Sequence, residues 1–234
     1  MRNEGIRKST GAIICILDSD DIWVKEKLKT LYYLYTSQPE IVCITHNAII
    51  KDTHNSGSDL LYNFKEDFFK MALKDILSNK FLPYPFYSFK KSILKSINSF
   101  DETLTDGQHD FFLRLASIHP IYYCAKILAF KKKHKNSISN KKRVSALLNY
   151  NNSLNNLLKS NKITILEHKR VVIINNYKIA KFYFKTKEFQ NSLAYFNKVT
   201  SQTPMLHKLH IKGTFYKLLL LNNFIKDSSN TPQL

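Results

Sequence analysis

No run of consecutive apolar residues in this chain approaches the roughly 20 that a membrane-spanning helix needs, and the opening MRNEGIRKST has no apolar core of a signal peptide. A soluble, cytoplasmic chain is expected, at most peripheral to the inner face of a membrane. Cysteine is scarce: Cys15, Cys43 and Cys124 each lie in an apolar segment, with no Cys-x-x-Cys spacing. That excludes a disulfide framework and suits reduced core residues. Zinc-ligand spacings and stacking-platform motifs are also missing, so no specific nucleic-acid binding is expected. Acidic residues are scarce in one part only. Residues 141–234 hold 3 acids against 16 Lys and Arg, whereas residues 1–140 hold 15 against 20, so most of the net charge of +18 falls in the tail. Such asymmetry points to an anionic partner, nucleic acid or a phospholipid surface, although abundant Lys, Asn and Ile equally fit an AT-rich genome.

What is present suffices for a core. With 44% hydrophobic and 13% aromatic residues over 234 positions, the chain should fold. Residues 3–10 read as a short helix stopped by Gly11, and AIICIL reads as a buried strand. Apolar positions at Trp23, Leu28, Leu31, Leu34 and Tyr35 predict one helix from Trp23 to Ser37. IVCIT predicts a strand with AII at 48–50 as its antiparallel neighbour; helices are expected over Phe68 to Leu77, FKKSILKSI and DFFLRLASI, and YYCAKILAF is a further strand. FLPYPF, with its two prolines, reads as a loop packed by aromatics. After KKKHKNSIS the pattern becomes long helices, which places a domain boundary near Asn140 and divides the chain into 1–140 and 141–234.

The stretch ILDSDDIW, residues 16–23, puts three carboxylates within four positions at a strand's C-terminal edge. Carboxylates that close repel unless a cation lies between them, and in open α/β sheets this edge is where ligands bind. The alternative is an Asp-rich helix N-cap, and Asp21 could cap while its neighbours bind.

RNEGIRKSTGAIICILDSDDIW, then PFYSFKKSILKSINSFDETL, HDFFLRLA and KKKHKNSIS, in that order, resemble the inverting family 2 glycosyltransferases. The resemblance implies an incomplete GT-A sheet domain, α/β in class, followed by a helical part in which Ala180, Tyr183, Ser192, Phe196 and Pro204 fall near tetratricopeptide positions. It also implies a nucleotide-sugar-dependent enzyme that builds cell-surface polysaccharide on a glycan or lipid-linked acceptor. Mg²⁺ or Mn²⁺ would be held by Asp18 and Asp20, with His134 as a further ligand. Arg2, Asn3, Asp18 and Lys132 would contact the donor, and Asp21 would orient the loop. Trp23 is expected in the core.

Two departures from the family stand out. The βαβ half that precedes this block in relatives is missing, so a truncated enzyme, or a second chain supplying that half, is expected. The catalytic carboxylate is also displaced: in DGQHDFFLRLA, Gln108 stands at or near the usual Asp, leaving Asp106 or Asp110 as base, with Asp110 also suited to pair with Arg114. The competing reading is a noncatalytic remnant or interaction module whose basic helices contact membrane or a partner.

Overall fold

The computed structural model describes residues 2–52, 58–78, 82–83, 86–105, 107–133 and 143–229. It divides into two compact units, Met1–Lys142 and Arg143–Leu234.

In the first unit, seven described strands form one mixed sheet: β1 (Ile13–Cys15), β2 (Asp21–Trp23), β3 (Cys43–Asp52), β4 (Ser58–Leu60), β5 (Phe68–Lys70), β6 (Tyr87–Lys90) and β7 (Ile121–Lys133). The main path runs β1-β6-β3-β7-β2, with β4 on β3 and β5 on β7. Only β3 and β7 pair in parallel; the other pairs are antiparallel. These two long strands form the centre, paired with each other and flanked by β6 and β2.

On one face, α2 (Lys27–Ser37) lays Leu31, Leu34 and Tyr35 on Ile44 of β3 and on Tyr122, Cys124 and Leu128 of β7. Each Leu buried there contributes about 1.5–3 kcal/mol. On the other face, α5 (Gly107–Ala116) sets Phe111 and Phe112 against β6, with Phe89 and Phe111 centroids 5.2 Å apart and Tyr87 and Phe112 4.7 Å apart, edge to face. The described residues of the unit also form three shorter helices, α1 (Arg2–Lys8), α3 (Leu73–Leu77) and α4 (Leu94–Ile97), the last preceded by a 3-10 turn over Lys91–Ile93.

Several expectations are corrected. Residues 21–23 are not a helix start: they pair with β7, Asp21 opposite Lys131 and Trp23 opposite Ala129, so Asp21 caps nothing. Leu28 is exposed and Lys27 is buried, because α2 begins later than the apolar spacing suggested and its inward phase runs 27, 31, 34, 35. The segment 48–50 is no separate strand; a register shift around Asn47 lets β3 continue along β7, and the antiparallel neighbour is β4. Residues 68–70 are a strand, leaving α3 shorter than expected, and FKKSILKSI opens in β6. Of FLPYPF, Leu82, Pro83 and Phe86 are described; Phe86 is buried. Cys43 and Cys124 are buried, Cys15 is half-buried, and all three are free thiols.

The second unit is helical: α6 (Arg143–Lys159), α7 (Ile165–Lys185), α8 (Phe189–Ser201) and α9 (Lys208–Ser229). Thr164 starts α7 with a reciprocal cap, accepting from the Glu167 amide while the Glu167 carboxylate accepts from the Thr164 amide at 2.8 Å. Ala180, Phe196 and Leu220 form its core, and the Ser192 hydroxyl donates to the Ala180 carbonyl at 3.0 Å where α7 crosses α8. A small residue at the crossing, with Tyr183 and Tyr195 packed beside it at 5.9 Å, is the arrangement that the Ala180, Ser192 and Phe196 spacing suggested.

Candidate functional site

Asp18 and Asp20 lie on the turn between β1 and β2, Asp18 partly shielded and Asp20 exposed. Beside them, α1 brings Arg2 close, with its guanidinium 3.4 Å from the Asp18 carboxylate. A cleft of about 470 Å³ runs between α1 and residues Ile13 to Leu17, and Arg2 is among its walls. α1 is held in place by Asn3. Its buried amide donates to the Phe100 carbonyl at 2.7 Å and accepts from the Ser99 hydroxyl at 2.6 Å and the Phe100 amide at 3.1 Å. Both ends of that amide are engaged, so Asn3 positions Arg2.

Tyr87 joins this corner to α5. Gln108 donates to its hydroxyl at 3.3 Å, and burial pushes the phenol up while the nearby Arg2 charge draws it down and Asp18 opposes that. Arg2, Asp18, Tyr87 and Gln108 therefore share one electrostatic neighbourhood. Gly107 lets α5 start here: a Cβ would lie 3.0 Å from the Asp101 carbonyl.

Asp110 is buried and accepts from Arg114 Nε at 2.7 Å; Arg114 also donates to the carbonyls of Ile97 and, at 2.9 Å, Ser99. This clamp ties α5 to the turn after α4, where Asn98 adopts a left-handed φ of 61°. Asp110 is thus paired with Arg114 in an i, i+4 ion pair. Asp106 and His134 lie outside the described residues. Lys132 is exposed on β7, opposite Lys51 in register, and is not brought to Arg2 or Asp18 by any described contact.

Its neighbour Lys131 instead approaches Asp21, 3.7 Å away. Burial raises the Asp21 carboxyl to about 6, an effect offset in part by Lys131 and reinforced by Asp20 and Asp18. Under Asp21 lies a group of polar side chains that the motif did not announce. The Lys27 ammonium is fully buried, 4.0 Å from the Trp23 ring centroid and 5.7 Å from that of Phe86, and has no hydrogen-bond acceptor among the described residues. Burial lowers it to about 8. His46 stacks on Phe86 at 5.5 Å, and burial, with the Lys27 charge, lowers its imidazole to about 3. The visible signal for Lys27 is a charge in the apolar phase of an amphipathic helix.

Among the described residues no three His, Cys, Asp or Glu side chains converge as a metal cluster. Asp18 and Asp20 fit a hard cation by their chemistry, two carboxylates on an accessible turn. They would supply two of its oxygens, leaving the remaining positions to phosphate or water.

A mixed sheet between helical layers, followed by a helical part, fits a partial GT-A domain with a helical C-terminal region. Residues 1–97 match the family model described as Glycosyl transferase family 2, so this portion of the chain is similar to proteins of glycosyl-transfer chemistry. No curated protein matches the chain.

Proposed function

We propose that the first unit transfers a sugar, with inversion, from a nucleotide-sugar donor to a glycan or lipid-linked acceptor. The observation that carries this reading is the placement of Arg2 3.4 Å from Asp18 inside the family-matched segment. In such a transfer the acceptor oxygen bonds to the anomeric carbon as the bond from that carbon to the diphosphate oxygen breaks. The electron pair leaves with the diphosphate, and the hydroxyl proton passes to a carboxylate. Arg2 suits the growing charge on the diphosphate, because a guanidinium can donate two parallel hydrogen bonds to phosphate oxygens. Mg²⁺ or Mn²⁺, bound by Asp18 and Asp20, would neutralise further diphosphate charge.

The commitment of Asp110 to Arg114 favours Asp106 as the base. Calorimetry with Mn²⁺, alone and then with uridine or guanosine diphosphate, tests the site. Binding should be tighter with the nucleotide and lost in Asp20→Asn; unchanged binding in that variant overturns the assignment. In a donor-turnover assay, Asp106→Asn should cost about 10²- to 10⁴-fold. Asp110→Asn should instead lower thermal stability, and an equal rate loss at unchanged stability would transfer the base role to Asp110.

A further inference from the structure

The second unit ends in a helix with two apolar faces. One is covered: Gly213 and Leu220 of α9 are buried, and Tyr216 stacks on Phe196 at 5.0 Å. Ile211, Phe215 and Leu218 recur one helical turn apart on the opposite side, with 56%, 58% and 58% of their surface exposed. Leu206, just before the helix, is 92% exposed. Lys208 and Lys212, both exposed, border this stripe within the same two turns. Soluble surfaces rarely leave such a contiguous apolar stripe uncovered.

Charge selects the occupant. The segment from 141 onward carries 16 Lys and Arg against 3 acids, so a second copy would bring like charge against like. An anionic lipid surface offers the complement to both parts of this face: headgroup phosphates for the lysines and the acyl boundary for Ile211, Phe215 and Leu218. No helix among the described residues is long and apolar enough to cross a membrane, so the contact would be one of lying on the surface.

We propose that the outward face of α9, Ile211, Phe215 and Leu218 bordered by Lys208 and Lys212, docks the chain on anionic phospholipid. The proposal stands independently of the chemistry assigned to the first unit. It differs from attraction by diffuse charge in requiring insertion of particular apolar side chains.

Flotation of the full chain with phosphatidylcholine vesicles, with and without phosphatidylglycerol, at low and physiological salt, tests it. Binding is expected only where phosphatidylglycerol is present. The double variant Phe215→Ser, Leu218→Ser should weaken it on the order of tenfold at physiological salt, with the melting temperature unchanged because both side chains are exposed. Lys208→Gln, Lys212→Gln should weaken it by a similar factor, and more at low salt. Failure to bind phosphatidylglycerol vesicles overturns the proposal. So does binding indifferent to the serine variant, which would leave charge alone as the cause. A dimer in light scattering that the serine variant abolishes would show a second copy covering the stripe, and would equally overturn it.

Discussion

Lys27 keeps an ammonium against the π-faces of Trp23 and Phe86, with no acceptor among the described residues. In the folded chain it loses its proton near 8, against an ordinary value of 10.5. Between those values the unfolded state binds more protons, so stability should rise with pH from about 8 to 10.5. His46 acts at the acid end. Its imidazole is held at about 3 against 6.5, so stability is full above 6.5 and lost as pH falls toward 3. Lys27→Met, which keeps the length and removes the charge, should stabilise the first unit at pH 7 by about 1–3 kcal/mol and flatten the alkaline rise. Urea unfolding at pH 7 and pH 10 checks both. Asn3→Ala removes three hydrogen bonds of a buried amide and should cost about 2–4 kcal/mol by the same measurement. An unchanged stability with weakened nucleotide binding would return Asn3 to a substrate role.

Elements in the second unit are held by a few local devices. The Thr164 and Glu167 cap satisfies two amides at the start of α7, and Thr164→Ala should lower the unit's stability by about 1 kcal/mol in thermal melts. Gly213 marks where α9 approaches α8: a Cβ there would lie 3.0 Å from Thr200 Cγ2. Gly213→Leu should therefore cost about 1–3 kcal/mol through overpacking, despite the better helix propensity of leucine. In the first unit the corresponding device is the Arg114 clamp, one guanidinium joining Asp110 on α5 to the carbonyls that close α4.

At the scale of the molecule, two units each hold their own core. That of the second, built on Ala180, Phe196 and Leu220, comes from α7, α8 and α9 and needs no residue of the sheet. Residues 143–234 expressed alone should give a helical circular dichroism spectrum with a cooperative melt; a featureless, non-cooperative trace would show that this core is insufficient. Charge follows the same division, with the sheet unit near balance and the helical unit strongly basic.

What the sequence determined by itself was local and ordered. AIICIL ending in DSDD reads as a strand with carboxylates at its edge, DFFLRLAS as a helix, and Ala180, Ser192 and Phe196 as a helical crossing, because each depends on residues close along the chain. Tertiary structure decided the rest. Asp21 became a strand residue because β7, more than 100 positions later, offers Lys131 and its backbone as partners. Residues 48–50 extended β3 because a bulge at Asn47 kept them on β7. Tyr87 met Gln108 of α5 through a hydrogen bond between residues 21 positions apart. Lys27 was drawn inside because the phase of α2 is set by which face meets the sheet, a choice that apolar spacing narrows and long-range packing completes.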